Sequence, residues 1–460
     1  MGMRITTSMM MNTYRYNLQG STKNLSDARD SVLTQRKFTS YMEDPSSATQ
    51  AWRIRRAMSS NFDYQANNDD TYSRFSVAWT SMGMITHDLA DLDGRFSSIR
   101  GDNGAFGAGR QPLGQVLDET AKSIIQTMNS AKYGDHFVFS GDDEMNPPFS
   151  WDGDTLLYRG VNVGAGGEKA PTEVPEWAKD LAMNEKGLPE GMPTSGKTEW
   201  EQAWVNYYTD QAEVDAATGK LPDGSDPAPD PSTFTNNPYA NLPKEDFDQF
   251  GIPKTINEDL KSDDPETRLW AVYYKDQGDL KKLEYLAKEE QNVDLGMGLK
   301  EDADGNLING TAFDRSLPGV NMLGGYGVDE DGDPKNIVLI LKRIGEIFSN
   351  SDPDSGVWDS NPDKARELEA EAYRLLDKLN AAHDSTVESY TEIETRAHFL
   401  TQNQTRLETQ GDDLQVERLN LEQVDLADAI TEFSWDYYCY SAALKIGTEL
   451  LGQSLIDYMR

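Results

Sequence analysis

Residues 191–198 read GMPTSGKT, and Gly191, Gly196, Lys197 and Thr198 meet the phosphate-loop pattern G-x-x-x-x-G-K-[ST]. In that pattern glycines let successive backbone N–H groups curl around phosphates. The lysine reaches the terminal phosphates, and the hydroxyl ligates magnesium. The chemistry needs a buried strand before the loop and a helix N-terminus after it. The downstream half is present, because EWEQAWVNYY at 199–208 reads as a helix. The upstream half is not: DLAMNEKGLPE has no β-branched or aromatic run and is interrupted by Pro189. No apolar strand ends in an aspartate that could hold the metal. The best apolar run, IVLILKR at 337–343, ends in Lys342 and Arg343. Residues 191–198 therefore read as a surface loop.

DADGN at 302–306 and DEDGD at 329–333 resemble calcium loops, but an EF-hand requires Gly at its sixth seat and Glu at its twelfth. Counting from Asp302, those seats hold Leu307 and Phe313; counting from Asp329, the sixth is Pro334. Turn chemistry accounts for both stretches, and weak surface calcium binding at Asp302–Asn306 or Asp329–Asp333 is left open. His87, His136, His383 and His398 form no H-E-x-x-H pair and have no nearby cysteine, so they read as solvated or satisfied. Cys439, within WDYYCYSAAL, reads as packed and inert. No G-x-S-x-G elbow is present. No catalytic, cofactor-binding or metal-ligating residues are assigned, no cofactor is expected, and the chain is expected not to be an enzyme.

The 460 residues include 43 basic and 79 acidic side chains, a net charge of −36. That balance opposes a phosphate-neutralising surface, so no nucleic-acid partner is expected. It favours solubility and repulsion between copies. A single cysteine rules out an intramolecular disulfide. No stretch approaches 18 apolar residues, so no membrane span is expected. The start, MGMRITTSMMMNTYRYN, has no apolar core of signal-peptide length; a cytoplasmic protein and one exported without a cleaved signal both fit.

The elements around these stretches are mostly helical. Met11, Tyr14, Leu18, Ser21, Leu25, Ala28 and Val32 step by threes and fours, a coiled-coil seam with one polar seat. This helix should stop near MEDPSS, with Asp44 capping the next and Pro45 at its first position. Phe75, Ala78, Met82, Ile85, Leu89, Leu92, Phe96 and Ile99 continue the heptads until the glycines of RGDNGAFGAGRQP. A third helix runs from Leu113 to Ala131. Near the far end, Ala365, Leu368, Ala372, Leu375, Leu379 and Ala382 hold a stripe, continued by Ile393, Ala397, Leu400, Gln404 and Leu407, with Gly411 a soft spot. Leu426, Ile430, Phe433, Tyr437, Tyr440, Leu444, Gly447 and Leu451 form the last. Between them, DHFVFSGDD and TLLYRGV read as strands, ETRLWAVYY and DLKKLEYLAKE as short helices, and EDADGNLINGTAF as a hairpin. The expected fold is mainly α with a β-containing insert, a coiled-coil bundle of N- and C-terminal helices from which a central mixed α/β outer domain projects. Its divisions are 1–45 with 415–460 (terminal helices), 46–135 with 355–414 (helical bundle) and 136–354 (outer, β-rich), with a loop-rich insert at about 170–290. A terminal pair of helices with little else to pack on is marginal alone and would be stabilised by neighbouring copies. The expected assembly seam comprises Leu18, Leu25, Val32, Met82, Ile85, Leu89, Leu92, Ile430, Tyr440, Leu444, Leu451 and Leu455.

The layout and several literal stretches resemble the flagellin superfamily, and within it the hook–filament junction proteins (hook-associated protein three). MRITTSMMMNTYRYNL from Met3 is similar to that family's opening, and YMEDPSSATQAWRIRRAM to its Asp-Pro turn before the second helix. GDHFVFSGDDEMNPPF, 134–149, is similar to the junction proteins' segment and favours them over ordinary flagellin. In DLADAITEFSWDYYCYSAALKIGTELLGQSLIDYM, Ala429, Ile430, Tyr440, Ala442, Ala443, Leu444, Ser454, Leu455, Asp457 and Tyr458 match the shared C-terminal signature. The likeness covers roughly the first 165 and last 170 residues; the insert at about 170–290 has no counterpart in it. The resemblance implies unfolded export through the flagellar type III channel, without a cleaved signal, aided by an export chaperone. It implies an extracellular ring at the hook tip, with terminal helices lining the channel and the β-rich part outward. Implied partners are other copies, the preceding hook-associated protein and flagellin. A divergent flagellin filament subunit, or a displayed glycan- or host-binding module in the insert, are the alternatives.

Overall fold

The computed structural model describes residues 7–99 apart from 39, then 109–350 apart from 180–182, 185–187, 190, 215–219, 224, 303–306 and 309, and then 358–458. Side chains are described for these except 7, 8, 97–99 and 450–458. The glycine-rich stretch 100–108, Ile99's place in its stripe and most of DADGN therefore lie outside the described residues. Of the described residues 63% are helix and 7% strand, mainly α with small sheets.

In chain order the helices are α1 (Thr7–Thr34), α2 (Pro45–Ile99), α3 (Arg110–Ser130), α4 (Glu176–Lys179), α5 (Glu199–Glu213), α6 (Ile256–Asp259), α7 (Pro265–Ala287), α8 (Gly319–Met322), α9 (Ile337–Ser349), α10 (Pro362–Glu422) and α11 (Leu426–Tyr458). Strands β1 (Lys132–Tyr133) and β2 (His136–Phe137) pair antiparallel, as do β6 (Asn292–Val293) and β7 (Phe313–Asp314). Strands β3 (Phe149–Asp152), β4 (Thr155–Tyr158) and β5 (Val161–Asn162) form a meander in which Phe149 faces Tyr158 and Leu157 faces Asn162. The chain divides into two compact units. One comprises Met1–Asp69, Asp294–Leu299 and Gln402–Arg460; the other comprises Asp70–Val293 and Lys300–Thr401.

In the first unit α1 pairs with α11. Helix α1 stops at Thr34, earlier than the sequence pattern implies. Gln35 takes a left-handed φ of 56°, a helix-ending conformation. The chain then pairs with the α10–α11 joint: Lys37 N donates to Glu422 O at 2.8 Å and Val424 N to Gln35 O at 3.2 Å. Pairing with this joint takes residues that would otherwise extend the helix. Helix α2 begins as its sequence dictates, with the Asp44 carboxylate accepting from Ser46 N and Ser47 N, both at 3.0 Å. Between α2 and α10 the seam is polar. Asn61 Nδ2 donates to the Leu407 carbonyl at 3.1 Å, Asn68 Nδ2 to Gln404 Oε1 at 3.0 Å, and Asn403 Nδ2 to Asn68 Oδ1 at 2.9 Å. Asn61, Asn68 and Asn403 are all buried. Such polar seats fix register, because any slip leaves a buried amide unpaired. Gly411 is not a soft spot. The helix runs through it, and its missing side chain leaves room for Asn61 and Gln65.

In the second unit α3 crosses α9. Leu113, Leu117, Ile124 and Met128 on α3 and Ile340, Leu341, Ile344 and Phe348 on α9 are buried. Gly114 and Gly345 mark the crossing: a Cβ at Gly114 would fall 2.7 Å from the Gly345 carbonyl oxygen, and one at Gly345 would fall 3.0 Å from the Gly114 carbonyl. IVLILKR, the best strand-like run in the sequence, is thus a helix, started by Asn336 Oδ1 accepting from Val338 N at 3.0 Å. DHFVFSGDD is a strand only at His136–Phe137. Val138, Phe139 and Ser140 then continue as buried chain, and Ser140 bridges to Pro318. The two short helices read at 266–289 are the single helix α7. Its internal Gly278 does not break it, because Ile252 packs where a Cβ would stand. Tyr239, Ile256, Trp270 and Ala271 form a small separate core within the insert. Trp270 closes it by donating Nε1–H to Phe234 O at 3.1 Å.

Candidate functional site

The α1–α11 pair is antiparallel and thin. On α1 the seven stripe positions from Met11 to Val32 are all half-buried or buried, including Leu18, Leu25 and Val32. On α11 the side turned inward is Ala429, Phe433, Asp436, Tyr440, Ala443 and Gly447. Tyr14 lies against Gly447, where any Cβ would overlap its hydroxyl. A small residue is therefore needed there for the helices to approach. This stripe is rotated from the one read off the sequence. Phe433, Tyr440 and Gly447 belong to both, but Ile430 is 47% exposed and Leu444 41% exposed, with Leu426 and Tyr437 also outside. One steric reason is visible: bulky Tyr14 of α1 fits only against Gly447, which turns that side of α11 inward.

The remaining seam positions divide. Met82, Ile85, Leu89 and Leu92 are buried within the second unit. There Trp79 stacks on Tyr390 of α10 at 6.3 Å. The side chains of Leu451 and Leu455 lie outside the described residues. Residues not assigned from sequence complete the surface of the first unit. Trp435, Tyr438 and Ile446 on α11 are exposed, Trp435 by 71%. The signal for them was present, because α11 carries more apolar residues than one stripe can hold. Cys439 is exposed rather than packed, since it falls between the inward positions Asp436 and Tyr440.

The phosphate-loop pattern at 191–198 is folded onto its own chain. Gly196 N donates to Gln202 Oε1 at 2.9 Å and Lys197 N to Glu201 Oε2 at 2.8 Å. Thr198 caps α5 by accepting from Glu201 N. The N-terminus of α5 already holds an anion: the Glu168 carboxylate accepts from Glu199 N at 2.9 Å and from Trp200 N at 3.0 Å. Burial pushes the Glu168 carboxyl up, against these amides. The Lys197 ammonium bonds Asp333 Oδ1 at 2.9 Å. Each of these donors thus has a protein partner where the pattern would have it face phosphate.

DEDGD is a turn with an internal cation. Asp329, Asp331 and Asp333 converge closely enough to ligate one ion. The Lys378 ammonium stands among them, at 2.6, 2.8 and 2.7 Å respectively. Arg374 and Lys197 also pair with Asp333. Burial raises the Asp333 carboxyl, but hydrogen bonds from Arg374, Lys378 and Lys197 outweigh it and hold it well below the usual carboxylate range. Two histidines have single carboxylate partners, His136 with Glu144 at 3.2 Å and His383 with Asp93 at 3.7 Å. Among the described residues no other acidic, His or Cys group gathers in metal-ligating geometry, and no helix is long and apolar enough to cross a membrane. No protein-family model and no curated protein sequence matches the chain.

Proposed function

We propose that the chain is a structural subunit that self-assembles through its terminal helices as the ring joining the hook and filament of a bacterial flagellum. The observation that carries this reading is the α1–α11 pair. Its internal seam is narrow and mostly half-buried, while Leu426, Ile430, Trp435, Tyr437, Tyr438, Leu444 and Ile446 stay open along the same helix. Large apolar side chains left exposed in this number on one helix mark a protein–protein contact. The resemblance of both ends to the flagellin superfamily names the assembly, with export in an unfolded state, a chaperone on the C-terminal helices, and the preceding hook-associated protein and flagellin as neighbours. The reading assigns no catalysis.

The test is deletion of the gene, electron microscopy of the cells and assay of flagellin in the medium. Bare hooks with abundant shed flagellin are expected. Bare hooks with no flagellin anywhere would make the chain the filament subunit. Intact flagella would overturn both.

A further inference from the structure

In a chain of net charge −36, one aromatic surface is basic. It lies in the first unit where α1 hands over to α2. Trp52 is 62% exposed and Arg56 stands over its ring at 5.8 Å. Arg53 is exposed beside them, and Tyr41 and Trp52 line a groove of about 470 Å³ that reaches Arg36. Arg55 is occupied by Glu422 at 2.7 Å, but among the described residues Arg36, Arg53 and Arg56 have no ion-pair partner.

The same unit carries the complementary pattern. On α11, Asp428, Glu432 and Trp435 follow one another by four and three residues, so they share one side of the helix, and all are exposed. No Lys or Arg occurs between Arg418 and Lys445. Among the described residues neither Asp428 nor Glu432 has an ion pair. The basic face is therefore Trp-plus-Arg and the acidic face Trp-plus-carboxylate. Both are open at once within one compact unit, so neither covers the other.

Resting on the assembly reading above, we propose that the Asp428–Glu432–Trp435 face of one copy docks on the Trp52–Arg53–Arg56 face of a second copy. The occupant is set by charge. A surface holding unpaired arginines in a strongly acidic protein selects an acidic apolar helix, and the chain itself supplies one. Because the two patches differ, the contact is head-to-tail. It leaves one patch free at each end and continues into a ring or an open filament rather than stopping at a dimer. The basic patch also offsets the repulsion that the net charge imposes between copies.

The experiment uses the full chain with two reversals, R53E/R56E and D428K/E432K, assayed for self-association by sedimentation across a concentration series at low and high salt. Each variant alone should raise the concentration needed for assembly by about tenfold or more. An equimolar mixture should assemble again with the two variants alternating, because one junction then pairs the two reversed faces and the next pairs the two original ones, and the recovery should weaken in high salt. Single variants that assemble like the original chain, or a mixture that stays monomeric, would overturn the contact while leaving assembly through the terminal helices standing. An original chain that stays monomeric throughout would sink the assembly reading and this contact together. Circular dichroism of each variant identifies any that fails to fold, and W52A with W435A then repeats the test without added charge.

Discussion

The two helix crossings of this molecule solve the same packing problem to different degrees. Where α3 meets α9 the buried side chains are apolar apart from Arg110 at the start of α3, and two facing glycines bring the backbones together. Where α1 meets α11 the seam has one glycine, a half-buried aspartate at 436 and a row of bulky side chains left in solvent. The first crossing keeps most of its apolar side chains inside the chain. The second holds many of its own in reserve. A helix pair with a narrow seam gains little from propensity alone, so its stability belongs to whatever covers the exposed side.

The comparison can be broken most sharply at the closed crossing. Gly114→Val should cost about 3 kcal/mol, because the new side chain meets the Gly345 carbonyl and Ser349. Chemical denaturation would show this as a lowered midpoint of the second unit's transition.

The polar closure of the same unit comes next. Asp333→Asn should cost about 2 kcal/mol at neutral pH, less than a fully buried pair because its cations are partly exposed. Since the folded carboxyl is held low, this contribution is present above the ordinary carboxylate range and is lost as pH falls below it. The original and variant chains should therefore converge in acid, and unmoved midpoints at pH 7 would remove the cluster from the account.

Asp279 sharpens the contrast from the opposite direction. Burial raises its carboxyl to about 6. Its contribution is full at acid pH below the unfolded value and is lost as pH rises through about 6. Asp279→Asn should thus stabilise the chain by about 1–2 kcal/mol at pH 8 and by little at pH 4. A loss of stability at pH 8 would mean the carboxylate makes a contact that favours its charged form.

The smallest expected effect on folding, and the most telling, is on α11. Leu444→Asp and Trp435→Ala should move the unfolding midpoint by less than about 0.5 kcal/mol, as exposed substitutions do. They should nonetheless prevent self-association in a sedimentation assay. Leu25→Asp, on the inward side of α1, should both open the helix pair and block assembly. If Leu444→Asp unfolds the chain, the exposed face belongs to the fold.

Much of this was legible in the sequence, and the misses have physical causes. The α1 stripe and the Asp44–Pro45 start of α2 follow from periodicity and capping, which are local. The rotation of α11 was not legible, because apolar residues occupy two adjacent stripes. The choice between them depends on the bulk of Tyr14 on a partner more than 400 positions away. IVLILKR is ambiguous by periodicity, as short apolar runs are; the asparagine before it was the available clue. The occupants of the two ion-like loops were hidden for the same long-range reason. Nothing near GMPTSGKT announces that Glu168 will fill the helix end, and nothing near DEDGD announces Lys378.

The place of Cys439 has a practical consequence. It follows Glu432 and Trp435 by seven and four residues, so the chain's one thiol stands on the same exposed side of α11. Its rate of alkylation by a maleimide is then a readout of whether that side is open or covered, obtained from the unaltered protein. Any disulfide the protein forms must join two chains, and one formed through this thiol would freeze whichever neighbour lies against that helix.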